Sequence, residues 1–242
     1  MQGFLSVLAL ALLPVAGNWL GTAAAELRPA PKWVVGAALH AAAGVAIAVV
    51  GIDLLPRALA TTAPGMFVLL FAAGAACSVL LSRVAGLLCR AASGGSKGAW
   101  AVYTATAADL LSDGLMTGAS TAVSPDLGLL LALSQVVANM PAGFATIANL
   151  RAQKLNRLVR LTAAASFALP VLVGAGLGYW LLRGEGETLQ NAALSLIIGV
   201  LLVSTLEDLV PQADKPGTPR WISTTAFVAG FAFFTLLGAY IG

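Results

Sequence analysis

Eight apolar stretches, each about 20 residues long, constrain this chain more than any other feature of its sequence. The hydrocarbon core of a bilayer is about 30 Å thick, and a helix needs about 20 apolar residues to cross it. Short loops rich in charge, glycine or proline separate the stretches. Their predicted bounds are roughly 3–25, 33–56, 63–88, 98–123, 126–150, 158–182, 189–211 and 219–241. The sequence therefore predicts an all-α, polytopic membrane protein with a single domain over residues 1–242.

The composition agrees with this class of protein and excludes others. Hydrophobic residues make up 59% of the chain and charged residues only 10%, whereas a soluble domain carries about 25% charged residues. Two cysteines without a CxxC pair and a single histidine argue against a disulfide scaffold, a zinc ribbon or an iron–sulfur centre. No Ser/His/Asp, Cys/His or HExxH arrangement is present, so we expect neither an enzyme nor a resident cofactor.

Basic residues predict how the chain is oriented. Basic side chains collect in cytoplasmic loops, so the slight excess of 13 Lys+Arg over 10 Asp+Glu indicates orientation and not a nucleic-acid partner. Eleven of the 13 lie in or beside alternate loops: Arg28, Lys32, Arg83, Arg90, Lys97, Arg151, Lys154, Arg157, Arg160, Lys215 and Arg220. These loops are predicted to be cytoplasmic, which puts both termini on the outer side of the cytoplasmic (inner) membrane. No basic residue precedes Arg28, so the first segment is expected to be a helix of the mature protein and not a signal peptide.

A short motif occurs twice in the chain. Asp53–Pro56 reads D-L-L-P and Asp208–Pro211 reads D-L-V-P, and each is expected to end its apolar segment. Since the second and seventh segments run in opposite directions, the motif would lie at opposite faces of the membrane. This pattern predicts an inverted repeat in which segments 1–3 match segments 6–8. The plainer explanation is that D-L-x-P is simply a common helix-ending string.

The fourth segment carries two carboxylates near its middle. Asp109 and Asp113 are four residues apart and project from one side of a helix, with no Lys or Arg within seven positions on either side. Ionisable groups inside a membrane are costly and indicate a functional site. Two carboxylates one turn apart either share a proton or hold a cation. Snorkelling to the surface is the alternative, but about ten residues of mostly apolar helix on each side disfavour it.

The fifth segment carries a second polar pair. Gln135 and Asn139 are also four residues apart, and Pro141 frees a backbone carbonyl one turn earlier. Together with the two aspartates these groups would form an oxygen-rich pocket. Asparagine and glutamine also hold membrane helices together by hydrogen bonds, so that explanation stays open.

Other polar residues lie near segment ends. Asp53 is predicted near the outer end of the second segment, and Glu207 and Asp208 near the cytoplasmic end of the seventh. Both snorkelling and a functional role fit these positions. His40 is expected to be a packing or surface residue and not a metal ligand.

These motifs together resemble the ZIP (Zrt/Irt-like) family of divalent metal transporters. The family's fourth-helix motif H-N-x-P-E-G falls on Asp109–Gly114, with aspartates in place of the His and Glu. Its fifth-helix motif D/N-x-P-E-G falls on Asn139–Gly143, where Ala142 replaces the Glu. Its seventh-helix motif H-E-x-x-P-E resembles Glu207–Gln212, and a sixth-helix Glu is replaced by Leu169. The resemblance implies eight helices in a 3+2+3 inverted repeat, a metal site between helices 4 and 5, and a homodimer.

The departures from the family motifs affect the expected substrate. No His or Cys lies in any of them, so Asp109, Asp113, Asn139 and Gln135 would form an all-oxygen site that suits Mn²⁺, Mg²⁺ or Ca²⁺ better than zinc. We expect a ZIP-like carrier that moves a divalent metal cation, with Asp53 as outer access group and Glu207 and Asp208 at the inner exit. Two other hypotheses stay open: a transport-inactive scaffold or regulatory membrane protein, and a carrier of protons or a small organic cation.

Overall fold

The protein is a bundle of long helices in a computed structural model that describes residues 2–27, 31–92, 99–214 and 217–241. Helix accounts for 92% of the structure, and the described ranges contain no strand. The helices are α1 (Gln2–Leu27), α2 (Lys32–Ala48, continued by Val49–Leu54 and Leu55–Thr61), α3 (Pro64–Ala92), α4 (Ala99–Val123), α5 (Pro125–Ala152), α6 (Arg157–Ser166 and Ala168–Leu182), α7 (Glu187–Ser204, continued by Thr205–Leu209 and Val210–Asp214) and α8 (Arg220–Ile241).

The predicted membrane segments correspond to these helices in number and order. Within the described ranges, seven helices are long and apolar enough to cross a bilayer. The helix outside this set is α4, whose 25 residues would suffice in length but include Asp109 and Asp113. An all-helical architecture is expected inside a membrane, because a helix satisfies its own backbone hydrogen bonds where no water is available.

Both D-L-x-P motifs have an unexpected local structure. The prediction that Pro56 and Pro211 end their helices is wrong, since α2 continues to Thr61 and α7 to Asp214. In each case a π-helical turn, Val49–Leu54 or Thr205–Leu209, comes immediately before the proline-containing helix. A proline inside a helix removes one hydrogen bond and crowds the preceding turn, and a π turn there changes the spacing of the backbone carbonyls. Helical structure therefore continues past both prolines.

The helices pack as two groups of four. In one group α1 lies along α5, α4 lies along α6, and α4 also packs against α5. In the other group α2 packs against α8 and α3 against α7. A hydrophobic cluster between the groups includes Val49 of α2, Met116 of α4, Leu131 of α5 and Ile198 of α7. The groups therefore share a core instead of forming separate domains.

Glycines allow the closest helix pairs to approach at backbone distance. A Cβ added at Gly118 of α4 would overlap the carbonyl oxygen of Ala175 in α6, and one at Gly174 would overlap that of Leu111. On the other side of the first group, Gly21 of α1 lies equally close to the Met140 carbonyl of α5. Small residues give such membrane interfaces extensive van der Waals contact. This packing joins α4 closely to α6 and α1 closely to α5.

Candidate functional site

Asp113 is a buried carboxylate near the middle of the bundle. Its side chain is 8% exposed. With 14 residues before it and 10 after it in α4, it lies about 21 Å and about 15 Å from the two helix ends. Since a hydrocarbon core is about 30 Å thick, Asp113 would lie near the middle of a bilayer that α4 crossed from end to end.

Two amide side chains of α5 bind this carboxylate. Asn139 Nδ2 donates to Asp113 Oδ2 at 2.6 Å, and Gln135 Nε2 lies 3.3 Å from Asp113 Oδ1 and 3.2 Å from its backbone oxygen. Thr117 Oγ1 donates to Gln135 Oε1 at 2.7 Å, which holds that amide in place. The structure thus brings three of the four predicted site residues together, and Thr117 is a further member that the sequence did not single out.

The cluster forms because both helices present a polar stripe to the same interface. Thr106, Asp113, Thr117 and Ser120 of α4 are spaced at three, four or seven residues, and so lie on one side of that helix. On α5 the buried residues Gln135, Asn139 and Thr146 are spaced at four and seven residues. Thr146 Oγ1 lies 2.9 Å from Thr106 Oγ1 of α4. Side-chain hydrogen bonds occur on both sides of Asp113 in the α4–α5 interface, whereas the buried hydroxyl of Ser120 has no partner among the described residues. We call this set of buried polar side chains the polar seam.

Asp109 has a different environment from Asp113. Its side chain is exposed, although it lies one helical turn from Asp113 on the same helix. Residues four positions apart are about 40° apart around a helix, which is enough to turn Asp109 away from the centre of the α4–α5 interface.

The other predicted acidic residues lie on the π turns. Asp53 is half-buried within Val49–Leu54, and its buried Oδ2 has no hydrogen-bond partner among the described residues. Glu207 is exposed on the turn Thr205–Leu209. Asp208 lies on the same turn, and its side chain is outside the described part of the structure. All three residues therefore belong to the second group of helices and not to the cluster around Asp113.

His40 is held by its own helix and by α7. Its Nδ1 lies 2.8 Å from the Gly36 carbonyl oxygen, and its Nε2 lies 3.3 Å from Asp214 Oδ1. The Asp214 side chain is 71% exposed. These contacts agree with the expectation of a packing or surface residue.

Two polar residues of α1 also belong to the interior and were missed in the sequence. Asn18 is fully buried and Thr22 is 5% exposed. Neither the amide atoms of Asn18 nor the hydroxyl of Thr22 has a partner among the residues that the structure describes. The signal was available, because the two residues are four positions apart in an apolar segment, as Gln135 and Asn139 are.

One end of the first group carries an ion pair and a lateral cleft. Arg160 of α6 donates to both carboxylate oxygens of Glu26, with Nη2 2.8 Å from Oε2, and Arg151 Nη1 donates to the Ala25 carbonyl at 3.0 Å. A cleft of about 400 Å³ between α1 and α6 is lined mostly by apolar side chains, including Trp19. Asp113 is not among its lining residues, so this cleft is separate from the buried carboxylate. We call this end of the bundle the basic end.

The cluster around Asp113 can bind a positive charge after a small rearrangement. Its carboxylate now accepts two amide N–H groups, but Asn and Gln each carry an oxygen and a nitrogen at nearly the same position. Rotating an amide would replace an N–H donor by an oxygen ligand beside Asp113. In the described ranges no three side chains of His, Cys, Asp or Glu come together as a metal site. Any cation held here would therefore depend on neutral oxygens and water for most of its ligands.

The fold and this interior define the class: an all-helical protein with seven or eight helices suited to crossing a membrane and a buried polar cluster at their centre. The sequence matches no protein-family model and shows no significant similarity to a curated protein.

Proposed function

We propose that this protein is a ZIP-like carrier that moves a divalent metal cation across the cytoplasmic membrane. The observation that carries the proposal is the buried carboxylate of Asp113, held by Asn139 and Gln135 near the bilayer centre. An isolated charge at that depth is unfavourable, and such residues commonly mark ion pathways in membrane proteins. A divalent cation would supply the positive charge that the described contacts of Asp113 do not contain.

The arrangement suggests different roles for the two aspartates. Asp113 is the principal ligand, and Asn139 and Gln135 turn their oxygens toward the cation when it binds. Asp109, exposed one turn away, attracts the cation and shares it with Asp113 as it enters the cluster. A set of carboxylate and amide oxygens suits a hard ion such as Mn²⁺ or Mg²⁺ better than zinc. Asp53 serves as outer access group, and Glu207 and Asp208 serve at the inner exit.

The packing of the helices supports a 3+2+3 inverted repeat. Asp53 and Asp208 are 155 residues apart, and each lies on a π turn that precedes a proline. Gly44 and Gly199 are also 155 residues apart, and each allows its helix to meet another at backbone distance, α2 with α8 and α7 with α3. The corresponding pairs in the first group are α1 with α5 and α6 with α4. In a carrier of this type, transport proceeds by rocking one group of helices against the other.

The same cluster favours a second candidate, a transport-inactive membrane scaffold. Asn139 and Gln135 both direct N–H groups at Asp113, and Thr117 holds Gln135 in that orientation. A network that is satisfied in this way can hold α4 and α5 together without any ligand. A panel of divalent cations added to the purified protein separates the two candidates: a carrier is stabilised by at least one cation, and a scaffold by none.

Metal uptake into proteoliposomes tests the carrier directly. We expect Mn²⁺ uptake by the unaltered protein and its loss in Asp113→Ala, because the central charge is removed. Asp109→Ala is expected to reduce uptake less, since that side chain is exposed. Asp126→Ala is the matched control, because Asp126 is exposed in the first turn of α5 and is expected to leave uptake unchanged. Undiminished uptake in Asp113→Ala would remove this residue from the mechanism.

For the homodimer, we propose α3 and α8 as the helices that face the second copy. Only 11% of the residues in the apolar spans of α3 and of α8 are buried within the chain. These two helices therefore present the largest faces to lipid or to a second copy.

A further inference from the structure

Asn18 is the least satisfied buried side chain in the described part of the structure. Its exposure is 0%, and neither Oδ1 nor Nδ2 has a hydrogen-bond partner among the described residues. Leaving a buried polar group unpaired is energetically unfavourable. One turn further along α1, the buried hydroxyl of Thr22 is in the same condition. Two unpaired polar groups, one turn apart and at membrane depth, indicate a bound molecule or ion that provides the partner which the protein itself does not supply.

The packing of α1 holds both residues beside the polar seam. A Cβ added at Gly143 of α5 would overlap the carbonyl oxygen of Asn18, so the two backbones are in contact there. Gly143 is one turn beyond Asn139, the residue that binds Asp113. The backbone of Asn18 is therefore fixed about one turn from the central cluster.

The register of α1 against α5 gives the position of Thr22. Gly17 meets the Val136 backbone, and Gly21 meets those of Met140 and Phe144, so the two helices run in the same direction. Further along, Ala25 lies in the same hydrophobic cluster as Ile147. Thr22 consequently lies at the level of Thr146, whose hydroxyl is bonded to Thr106 on the seam. Thr22 also lines the cleft between α1 and α6. Asn18 and Thr22 thus lie between the level of Asp113 and the cleft at the basic end.

We propose that Asn18 and Thr22 form a second cation station, which accepts a partly hydrated divalent cation between Asp113 and the basic end of the bundle. The amide oxygen of Asn18 and the hydroxyl of Thr22 are neutral, hard ligands, and water completes the coordination shell. Because they add no charge, they satisfy the ion without trapping it as strongly as a carboxylate does. This inference rests on the proposed function for the identity of the cation.

Thiol modification tests the station without measuring transport. In a protein with Cys77→Ser and Cys89→Ser, a single Thr22→Cys is exposed to a small hydrophilic thiol reagent, with and without Mn²⁺. We expect modification of the new cysteine and protection by Mn²⁺. Adding Asn18→Ala is expected to raise the half-protecting Mn²⁺ concentration about tenfold, because one oxygen ligand is lost.

Val15 provides the matched control on the same helix. It is fully buried in an apolar cluster with Leu110 and Phe167, three residues before Asn18. Val15→Cys is expected to stay unmodified, and Val15→Ala is expected to leave the protection of Thr22→Cys by Mn²⁺ unchanged. Size-exclusion profiles and thermal unfolding identify which variants are folded before they are compared.

The outcomes separate this inference from the proposed function. If Thr22→Cys reacts no faster than Val15→Cys, there is no hydrated station and the inference is overturned. If it reacts but Mn²⁺ gives no protection, the site holds water only. If Mn²⁺ protects but Asn18→Ala does not change the protection, Asn18 is not a ligand. Either result overturns the cation station. Protection that depends on Asn18 supports the station even if the proteoliposomes show no Mn²⁺ uptake, a result that would overturn the proposed carrier alone.

Discussion

Removing the Asn139 amide tests whether Asp113 is a buried charge that depends on its neighbours. Asn139→Ala deletes the 2.6 Å hydrogen bond to Asp113 Oδ2 and leaves the carboxylate with Gln135, 3.3 Å from its other oxygen. A hydrogen bond to a charged group contributes about 1.5–3 kcal/mol, so we expect a loss of about 2–3 kcal/mol in the free energy of unfolding. For a chain of 150–250 residues this lowers Tm by about 4–12 °C. The five tryptophans allow Tm to be followed in detergent by intrinsic fluorescence.

A double-mutant cycle then shows whether the charge is responsible. Asp113→Asn removes the charge, so adding Asn139→Ala to it should cost clearly less than Asn139→Ala alone. Ser134→Ala is the matched control on α5, because Ser134 is buried but donates to the Leu131 carbonyl of its own helix, at 2.7 Å. It is expected to change Tm far less. Effects of Asp113→Asn and Asn139→Ala that simply add, within about 0.5 kcal/mol, would refute the reasoning.

Other changes test the packing and the basic end. Gly118→Ala places a Cβ against the Ala175 carbonyl and is expected to cost about 1–3 kcal/mol of stability. Gly51→Ala is the control, since a Cβ there would meet no atom within 4 Å, and it is expected to be neutral or mildly stabilising. Equal Tm values for the two variants would contradict the α4–α6 contact. Glu26→Gln weakens the paired hydrogen bonds from Arg160, and a loss of about 1–3 kcal/mol is expected from thermal unfolding. Asp126→Asn serves as its control because Asp126 is exposed, and a Tm for Glu26→Gln that matches this control would argue against the ion pair.

The structure places the polar pair of α5 beside one of the two aspartates of α4. The part of this arrangement that the sequence could predict rests on local periodicity. Gln135 and Asn139 are four residues apart, as are Asp109 and Asp113, and this spacing puts each pair on one side of a helix whatever the tertiary structure is. The spacing alone does not show which residue of each pair contacts the opposite helix. A rotation of about 40° between Asp109 and Asp113 is enough for one to be exposed and the other to accept hydrogen bonds from α5.

Helix ends were less predictable, for a different local reason. Proline normally stops a helix, so the sequence predicted ends at Pro56 and Pro211. The preceding π turns allow helical structure to continue for several more residues in both places. A π turn leaves no reliable mark on hydrophobic periodicity, because it changes the hydrogen-bond spacing by a single residue.

By itself the sequence determined the class of this protein. Its segments are long and apolar enough to cross a bilayer, and in a bilayer such segments form helices because a helix satisfies its own backbone hydrogen bonds. Only the tertiary structure decided which helices pair and which polar atoms remain unsatisfied. Asn18 shows the difference: in the sequence it is one polar residue in an apolar segment, and in the fold it is fully buried where α1 meets α5. The physical reason is that apolar length depends on neighbouring residues, whereas burial and hydrogen bonding depend on which faces of distant helices come together.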